Sequence, residues 1–320
     1  MKAVIYKQYG SPEVLRLEDI KKPKPTSDEV LIKVHYSTVN RTDCGFRSAR
    51  YVISRFVTGL FKPRYTVSGS EFAGEIVEVG PEVANYRVGD RVFGFDDVRA
   101  GAHAEFVAKP ADGPLALMPV ERSFEEMAPA CEGATYALNV IRAMGVSEGQ
   151  RVMVYGASGA IGSAAVQILK HIGAEVTAVC GTKNVERVKS LGADNVIDYE
   201  TEDYTKTDET FDFVFDAVGK RSYAECKNIL TSRGTYYSSE LGKGGQNPLL
   251  ALWFGITGSR RVIFPIPRIN KENVEYIKQL IEAGAYRPLV DRTYPLDQIV
   301  EATRYVETGQ KTGNVVIKIV

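Results

Sequence analysis

The chain has 320 residues, a length that suits about two domains, and its 40 lysines and arginines balance its 40 aspartates and glutamates. This balance argues against a nucleic-acid-binding protein, which needs a basic surface, and favours a small-molecule partner. No apolar run reaches the roughly 18 residues of a membrane helix, and Met1 leads directly into a strand-like segment, so we expect a cytoplasmic protein without a signal peptide.

The four cysteines, Cys44, Cys131, Cys180 and Cys226, are scattered along the chain and form no C-x-x-C pair. This distribution argues against a disulfide framework and against a clustered zinc site. We expect all four to be buried thiols.

Residues 1–121 have the pattern of a β-rich domain. Short alternating segments are separated by turns that are rich in proline and glycine. The predicted strands are Lys2–Tyr6, Glu29–Tyr36, Glu71–Val79 and Arg91–Phe95. Within this region, residues 46–66 mix basic and aromatic side chains. This mixture suits either a lid over a substrate or, at least as well, a short amphipathic helix packed on the domain with its arginines in solvent.

A helix is predicted to join the β-rich region to the part of the chain that follows. The run Ser123-Phe-Glu-Glu126 is a capping box, in which serine and glutamate satisfy amide groups at the start of a helix. We expect this helix to continue past Pro129 toward Met144.

A stretch near the middle of the chain predicts a strand, a tight turn and a helix. Arg151–Tyr155 has the pattern of a short buried strand, Gly156–Gly162 interrupt it, and helical apolar spacing starts at Ser163. The turn Ala157-x-Gly159-x-x-Gly162 is a variant of the dinucleotide fingerprint, in which small residues let the backbone approach a pyrophosphate at a helix N-terminus. In isolation, a glycine turn joining any strand to any helix would look the same.

Strands and helices keep alternating after this turn. The predicted strands are Ala174–Val179, Asn195–Asp198, Asp212–Asp216, Thr235–Ser239 and Val262–Pro265. With the strand before the turn they make a set of about six, the number expected of a doubly wound parallel α/β sheet. This context strengthens the nucleotide-binding interpretation.

The C-terminal part returns to a different pattern. Two amphipathic helices, Lys271–Ala283 and Leu296–Glu307, precede an alternating strand at Asn314–Val320. We expect this strand to rejoin the β-rich domain. Residues 1–121 and 287–320 would then form one discontinuous domain, and residues 122–286 the doubly wound domain.

Several separated motifs resemble the medium-chain dehydrogenase/reductase superfamily along essentially the whole chain. The motifs are Asn40-x-x-Asp43, Gly69-Ser70-Glu71-Phe72-Ala73-Gly74, Val88-Gly89-Asp90-Arg91-Val92, the Ala157 turn, Asp216-Ala217-Val218-Gly219, and Gly313 before the last strand. Within the superfamily the chain is similar to the zinc-free quinone oxidoreductase branch, which includes ζ-crystallin-like proteins and alkenal or enone reductases. The resemblance implies a GroES-like substrate domain, a Rossmann domain, and an active site in the cleft between them.

The resemblance also bears on zinc. Zinc-dependent alcohol dehydrogenases of this superfamily carry cysteine and histidine at the positions that resemble Asn40 and Ser70. Neither an amide nor a hydroxyl is a normal zinc ligand. Residues 95–106 contain no cysteine for a structural zinc, and the three histidines, His35, His103 and His171, are spread apart. We therefore expect no metal.

The end of the second predicted strand indicates the cofactor. NAD-specific sites place aspartate or glutamate there to bind the ribose, whereas this chain has Gly181-Thr182-Lys183, with no carboxylate to repel a phosphate. Thr182 can donate a hydrogen bond and Lys183 can pair with the 2′-phosphate, which predicts NADPH. Lys183 and Arg187, one helical turn apart, could instead be a solvated helix face.

The resemblance implies a set of cofactor-binding residues. They are Thr135, Ser158, Gly159, Ala160, Ile161, Gly162, Gly181, Thr182, Lys183, Tyr199, Asp216, Ala217, Val218, Gly219 and Ser238. Tyr199 matches a tyrosine that contacts the adenosine phosphate in this branch, and Asp216–Gly219 would lie near the nicotinamide ribose.

The expected function is that of an NADPH-dependent, zinc-independent oxidoreductase. Without a metal to stabilise an alkoxide, oxidation of a simple alcohol is disfavoured, and an activated acceptor remains. A quinone or an α,β-unsaturated carbonyl can take hydride while charge develops on an oxygen that needs only hydrogen-bond donors. By resemblance, Asn40 is the best-placed catalytic candidate, and Tyr51 is a weaker candidate as a stacking residue or proton donor.

Other functions stay open at this point. One is an enoyl-thioester reductase, and another is a non-enzymatic role as a crystallin-like or NADPH-sensing protein. An RNA-binding role is opposed by the charge balance. A homodimer is compatible with the sequence, which does not fix the oligomeric state, and we expect neither a nucleic-acid nor a membrane partner.

Overall fold

The computed structural model describes residues 1–49 and 55–320. The chain forms two compact units. The first unit comprises Met1–Glu132, Ile269–Ala283 and Pro288–Val320, and the second comprises Gly133–Arg268 and Gly284–Arg287. Both units are therefore discontinuous in sequence. The segment Ile269–Ala283, which the sequence pattern assigned to the doubly wound domain, lies in the first unit.

The first unit contains a seven-stranded sheet and a two-stranded sheet. Its strands are β1 (Lys2–Ile5), β2 (Arg16–Asp19), β3 (Glu29–Val39), β4 (Glu71–Val79), β5 (Arg91–Phe95), β6 (Phe106–Pro110), β7 (Leu115–Leu117), β14 (Val290–Pro295) and β15 (Asn314–Lys318). Strands β1 and β2 pair with each other, and the larger sheet has the order β14-β15-β3-β4-β5-β7, with β6 also paired to β3. The sequence pattern did not predict β2, β6, β7 and β14, which are short or carry charged residues and proline.

Strand β3 is the centre of the larger sheet. It pairs antiparallel with β4, β6 and β15, so the final strand of the chain belongs to this sheet. Val30, Ile32 and Val34 alternate along β3 and pack with Phe72 and Val92 in one buried cluster. This alternation places one face of the strand in the core, as the period of two in a β-strand requires.

The first unit also carries short helices around the sheets. They are α1 (Arg41–Ser48), α2 (Arg55–Thr58), α3 (Phe124–Met127), α9 (Lys271–Glu282) and α10 (Ile299–Glu307). The predicted capping box at Ser123 is present, with reciprocal hydrogen bonds to Glu126. The helix nevertheless ends at Met127, and a separate helix starts at Glu132. Pro129 lies between the two helices. It explains the break, because proline lacks the amide hydrogen and its ring disrupts a continuing helix.

The second unit is a doubly wound sheet of six strands. The strands are β8 (Arg151–Tyr155), β9 (Glu175–Cys180), β10 (Asn195–Asp198), β11 (Phe211–Asp216), β12 (Leu230–Ser238) and β13 (Val262–Ile263). Their order is β10-β9-β8-β11-β12-β13 and every pair is parallel. The helices are α4 (Glu132–Met144), α5 (Ala160–Ile172), α6 (Val185–Lys189), α7 (Tyr223–Cys226) and α8 (Gln246–Ile256). The predicted α/β fold is confirmed, and its strands bring their carboxyl ends to one edge.

Helix α5 begins three residues before the predicted start at Ser163. Its N-cap is Gly159, and its first turn contains Ala160 and Gly162. The sequence pattern placed Gly162 in the turn, but it belongs to the helix, where its missing side chain allows a close contact described below. The sequence also predicted buried thiols and no membrane helix. All four cysteines are buried and free, and none of the helices in the described ranges has the length and apolar character needed to span a bilayer.

Candidate active site

The turn after β8 has the geometry that the dinucleotide fingerprint requires. Gly156 adopts a left-handed conformation with a φ of 78°, whereas Ala157, which stands where the fingerprint has its first glycine, has no positive φ. The amides of both residues donate to the carbonyl of Val179 on β9, at 2.9 and 3.1 Å. The methyl group of Ala157 is therefore tolerated, and the turn, which includes Ser158, is tied to the neighbouring strand.

Helix α5 starts directly after this turn, at Ala160. Its N-cap, Gly159, forms no side-chain capping hydrogen bond, so Ala160, Ile161 and Gly162 present backbone amides at a helix N-terminus. A Cβ on Gly162 would lie 2.2 Å from the carbonyl oxygen of Gly156, which explains why this position needs glycine. The open amides and the helix dipole together favour an anion such as a pyrophosphate.

Thr135, on α4, carries a buried hydroxyl that has no hydrogen-bond partner. Its side chain is 1% exposed, and its Oγ1 atom is unpaired among the described residues. Two positions earlier, Gly133 packs so closely on the start of α5 that a Cβ there would lie 2.7 Å from the carbonyl oxygen of Ala160. An unpaired buried hydroxyl costs about 1 to 3 kcal/mol. A buried hydroxyl that the described residues leave unpaired is suited to a bound ligand.

Asp216 ends β11 and organises the loop that follows. Its carboxylate is fully buried and accepts the backbone amides of Val218 and Gly219, at 3.1 and 2.8 Å. The hydroxyl of Ser238 donates to it from β12 at 3.2 Å. Val218 packs on the turn after β8, since a Cβ on Gly156 would lie 1.9 Å from Val218 Cγ2. The structure thus brings residues 216–219 and Ser238 to the turn, with Asp216 and Ser238 acting as supports of the loop.

The turn at the end of β9 differs from the sequence-based interpretation. Gly181, Thr182 and Lys183 lie at the same edge of the sheet, and the Thr182 hydroxyl donates to Asp198 at 2.6 Å and to Glu200 at 3.1 Å. Strands β9 and β10 are parallel neighbours, so the turn after β10 faces the turn after β9. The prediction that no carboxylate lies near this turn is therefore wrong, because it considered only the residues that adjoin the turn in sequence. Two carboxylates reach it from the next strand.

Tyr199 lies at the same turn. A Cβ on Gly181 would be 3.0 Å from the Tyr199 hydroxyl, and the Tyr199 side chain is 46% exposed. Its ring centroid is 6.1 Å from that of Tyr155, which ends β8. The predicted adenosine-contacting tyrosine therefore stands beside both Gly181 and the first strand of the sheet.

A cavity of about 500 Å³ opens beside Tyr199, and its lining includes Tyr204 and Arg221. The Arg221 guanidinium lies 4.7 Å from the centroid of the Tyr155 ring and 5.2 Å from that of Tyr204, and it donates to the Tyr155 hydroxyl at 2.9 Å. The aromatic rings and Arg221 suit an aromatic base, whereas the lining also includes four carboxylates, those of Glu200, Glu202, Asp203 and Glu225. Sequence reasoning missed Arg221 and Tyr204, since they lie in two different loops and neither belongs to a recognisable motif.

In the first unit, Asn40 is the N-cap of α1. Its Oδ1 accepts the amide of Asp43 at 2.8 Å, and the Asp43 carboxylate accepts the amide of Asn40 at 3.1 Å, which makes a capping box. Its Nδ2 donates to the Ser70 hydroxyl at 3.1 Å, and the residue is 2% exposed. An amide nitrogen carries two hydrogens, so Asn40 can donate one more hydrogen bond. The catalytic candidate therefore also has a structural role that the sequence analysis did not foresee.

Asn40, Asp43, Ser70 and Glu71 form what we call the polar centre of the first unit. Burial raises the pKa of Asp43 to about 7, although hydrogen bonds from Asn40 and Ser70 act in the opposite direction. Burial also raises the pKa of Glu71 to about 8, with the nearby Glu132 carboxylate as the second cause. Both carboxyl groups thus change protonation near neutral pH.

Glu71 has a full set of hydrogen-bond partners. Its Oε1 accepts the amides of Cys131 and Glu132, at 2.6 and 2.8 Å. Its Oε2 accepts the Thr38 hydroxyl at 2.8 Å. The carboxylate therefore occupies the N-terminus of α4, in the place where another helix would bind an anion.

The polar centre bears on zinc through the types of side chain that it contains. Asn40 and Ser70, which resemble the cysteine and histidine positions of zinc enzymes, are in direct contact, and neither side chain is a normal zinc ligand. Within residues 1–49 and 55–320, no group of three or more His, Cys, Asp and Glu could hold a metal ion. Nearby His103 contacts the Thr38 carbonyl through Nε2 at 2.7 Å and the Ser68 hydroxyl through Nδ1 at 2.9 Å, and burial lowers its pKa to about 4. It is a neutral core histidine.

The second catalytic candidate, Tyr51, lies outside the described residues. On its N-terminal side, Arg47 is 2% exposed, donates to the Gly10 carbonyl and pairs with Glu307. On the other side, the Arg55 guanidinium lies 5.2 Å from the centroid of the Tyr9 ring. The expectation that arginines of this segment point into solvent is therefore wrong for Arg47.

Comparisons with known proteins match both units. An alcohol dehydrogenase GroES-like domain model matches residues 26–122, and a zinc-binding dehydrogenase model matches residues 191–317. The chain is 32% identical to a 2-methylene-furan-3-one reductase of Solanum lycopersicum and 30% identical to a chloroplastic NADPH-dependent alkenal/one oxidoreductase of Arabidopsis thaliana, in each case over 99% of this chain and 79% of the relative. The solved structure of a quinone oxidoreductase from Coxiella burnetii superimposes with a TM-score of 0.88 at 27% identity, covering 100% of this chain and 99% of that one.

Proposed function

Because this chain belongs to the medium-chain dehydrogenase/reductase superfamily, in its zinc-free quinone oxidoreductase branch, we propose that it is an enzyme that transfers hydride from NADPH to a quinone or an α,β-unsaturated carbonyl. The names of its relatives support this assignment, since one is an NADPH-dependent alkenal/one oxidoreductase and a structural neighbour is a quinone oxidoreductase. The substrate is therefore a small molecule.

The open N-terminus of α5 is the observation that carries the proposal. Gly159, the N-cap, forms no side-chain capping hydrogen bond, and the Thr135 hydroxyl on α4 is buried without a partner among the described residues. Together they offer donors for a pyrophosphate and a hydroxyl for another part of a dinucleotide. The cavity beside Tyr199 and Arg221 would take the adenosine end. These residues fit a dinucleotide, which supplies a hydride from its reduced nicotinamide when bound.

Asn40 is assigned the role of hydrogen-bond donor in the first unit. Its amide is held by Ser70 and Asp43, and one Nδ2 hydrogen remains to be donated to the acceptor oxygen or to the cofactor. A neutral donor suffices when the developing charge is delocalised over a conjugated acceptor. A saturated alkoxide would need a Lewis acid, for which an amide and a hydroxyl are poor ligands. This chemistry favours quinones and enones over simple alcohols.

A homodimer is also part of the proposal. Leu249, Leu252, Trp253 and Ile256 follow one face of α8 at helical spacing and are each more than 60% exposed in this chain. Beside α8, strand β13 ends the six-stranded sheet. A second copy of the chain would cover this apolar face. Light scattering should report a dimer for the unmodified chain and a monomer for Trp253→Glu, and an unmodified monomer at micromolar concentration would contradict the dimer alone.

We further infer a cytoplasmic location, supported by four buried free thiols, which suit a reducing compartment. Cell fractionation would test this location directly. Recovery in an organelle fraction would contradict it without affecting the assigned reaction.

Steady-state oxidation of NADPH against a panel of acceptors tests the proposed reaction. We expect turnover of quinones and alkenals, no turnover of simple alcohols, and no loss of rate with EDTA. The matched control is the same panel with zinc added. Stoichiometric zinc in the purified protein, or EDTA-sensitive oxidation of alcohols with no turnover of quinones and enones, would overturn the proposal.

A further inference from the structure

Two carboxylates lie against the turn Gly181-Thr182-Lys183, which the sequence analysis assigns to the adenosine ribose and its 2′-phosphate. The Thr182 hydroxyl donates to Asp198 Oδ2 at 2.6 Å and to Glu200 Oε2 at 3.1 Å. A hydroxyl has one hydrogen, so these two carboxylates share it. The Thr182 hydroxyl, which the sequence analysis proposed as a hydrogen-bond donor to a 2′-phosphate, therefore already donates to carboxylates of the protein.

Glu200 also covers the first backbone position of the turn, Gly181. A Cβ on Gly181 would lie 2.4 Å from Glu200 Oε1, so this oxygen sits directly over the glycine. In NAD-binding sheets, an acidic residue near the end of the second strand accepts hydrogen bonds from the ribose hydroxyls. Here the second strand, β9, offers no such residue, and Glu200 brings a carboxylate to the same place from the turn after β10.

The turn after β10 holds this arrangement. The amide of Glu200 donates to Asp198 Oδ1 at 3.0 Å, and the amide of Tyr199 donates to the Cys180 carbonyl at 3.1 Å. The first bond fixes the backbone of Glu200 relative to Asp198, and the second ties the turn to the end of β9. The position of the Glu200 carboxylate thus follows from the parallel pairing of β9 and β10.

A carboxylate in this place acts differently on the two nicotinamide cofactors. A 2′-phosphate carries a charge near −2 at neutral pH and is repelled by Glu200, whereas a ribose hydroxyl can donate to it. Lys183, in the same turn, supplies one positive charge that favours the phosphate. The turn therefore combines one group that attracts NADPH with another that opposes it.

We propose that Glu200 is a specificity-determining residue that narrows the preference for NADPH over NADH, so that the enzyme uses both. This inference rests on the proposed function, because it concerns the same dinucleotide site. It predicts that the affinities of the unmodified protein for the two cofactors differ by no more than about tenfold, since the repulsion offsets most of a charge-assisted contact.

The test compares Glu200→Gln with Glu209→Gln. Both changes remove one exposed carboxylate from the same unit, but Glu209 precedes β11 and lies at the opposite edge of the sheet. Dissociation constants for NADPH and NADH are measured by fluorescence titration at low and high salt, and circular dichroism confirms folding. We expect Glu200→Gln to tighten NADPH about tenfold at low salt, to leave NADH within about twofold, and to lose most of this effect at about 1 M salt.

The outcomes separate the two proposals. An unchanged ratio of affinities in Glu200→Gln, with both cofactors still bound, would overturn the role of Glu200 and leave the proposed function intact. A preference for NADPH above about a hundredfold in the unmodified protein would do the same. If neither cofactor binds to the unmodified protein, the proposed function fails and this inference fails with it. Glu209→Gln should behave as the unmodified protein, and an equal shift there would show a general charge effect and overturn the specific role.

Discussion

The turn between β8 and α5 and the polar centre of the first unit are two sites built from different parts of the chain. The turn is made of backbone, since Gly156, Gly159 and Gly162 have no side chains of their own and Gly159 makes no side-chain capping hydrogen bond. The polar centre is made of side chains, and its members Asn40 and Ser70 are 30 residues apart in sequence. The first site is local, and the second depends on two strands meeting.

This difference decides what each site can tolerate. A backbone site has no side chain to remove, so it is broken by adding atoms. A side-chain site is broken by removing a group, and the loss then has two parts, because Asn40 and Glu71 also stabilise the starts of α1 and α4. Substitutions that separate binding from folding should therefore be additions in the turn and isosteric exchanges in the polar centre.

Valine substitutions in the turn should give the largest effects. A Cβ on Gly159 meets only the Gly156 carbonyl oxygen, at 3.5 Å, whereas one on Gly162 would lie 2.2 Å from that oxygen and 2.8 Å from Ala157 Cα. We expect Gly159→Val to remain folded while NADPH affinity falls more than about a hundredfold, since a side chain blocks the approach of pyrophosphate. Gly162→Val should in addition lose about 3 kcal/mol or more of unfolding free energy, through overpacking against backbone.

Urea unfolding and NADPH titration of both variants check this prediction. Unchanged affinity in a folded Gly159→Val protein would show that the turn is not the phosphate site. Equal stability of the two variants would show that the contact between Gly162 and Gly156 is not restrictive.

Replacing Asn40 should separate catalysis from helix capping. Asn40→Ala removes both the amide donor and the N-cap, whereas Asn40→Ser replaces the Nδ2 donor by a shorter hydroxyl that still caps the helix well. We expect kcat to fall by about two to three powers of ten in both variants, because losing one transition-state donor has this cost. Only the alanine variant should also lose about 1 kcal/mol of stability.

Steady-state kinetics and thermal unfolding measure the two effects. If Asn40 only positions the cofactor, the Michaelis constant for NADPH rises and kcat stays unchanged. Full activity in Asn40→Ser would leave Asn40 with its capping role alone.

Glu71→Gln should change how stability depends on pH. The pKa of Glu71 is raised to about 8, so the folded state holds a proton that the unfolded chain loses near its ordinary value of 4.5. The contribution of Glu71 to the free energy of unfolding is therefore fully present below pH 4.5 and is lost as the pH rises through about 8. Glutamine removes this loss, and its amide can still accept from α4 with its oxygen and donate to Thr38 with its nitrogen.

Urea unfolding between about pH 6.5 and pH 8 is the informative measurement, because the depressed pKa of His103 acts mainly below that range. The unmodified protein should lose up to about 2 kcal/mol across this interval through Glu71, and the variant should lose less. Parallel pH profiles for the two proteins would contradict the raised pKa of Glu71.

The same division between local and long-range contacts explains what the sequence could predict. The strand, turn and helix around Gly159 lie within about twenty consecutive residues, and their pattern identified the fold. The carboxylates at Gly181 could not be found in this way, because Asp198 and Glu200 reach the turn only through the pairing of β9 with β10. Arg221 was missed for the same reason, since its partner Tyr155 is 66 residues away.

Some of the shortfall is local. Proline at 129 is a clear helix breaker, yet the capping box and apolar spacing on either side favoured one continuous helix. Gly162 was assigned to the turn before the helix, whereas it lies in the first turn of α5, where its missing side chain allows a close contact with Gly156. Both errors arise because the effect of proline or glycine depends on a neighbour that the sequence does not reveal.

Exchanging threonine for valine in each region should give the smallest effects and the cleanest contrast. Thr135 and Thr38 are both buried, but the Thr135 hydroxyl has no partner among the described residues, whereas the Thr38 hydroxyl donates to Glu71.

Valine has nearly the same shape as threonine, so each exchange removes little more than a hydroxyl. Thr38→Val should lose about 1 to 2 kcal/mol of stability, because the buried carboxyl group of Glu71 loses a hydrogen-bond partner, and its NADPH affinity should stay unchanged. Thr135→Val should keep or gain stability, because an unpaired buried hydroxyl is removed, while its NADPH affinity falls about fivefold through the loss of one hydrogen bond to the cofactor. Urea unfolding and NADPH titration on both variants measure the four values, and a Thr135→Val protein that loses stability but binds NADPH normally would place the Thr135 hydroxyl in the fold and not in the site.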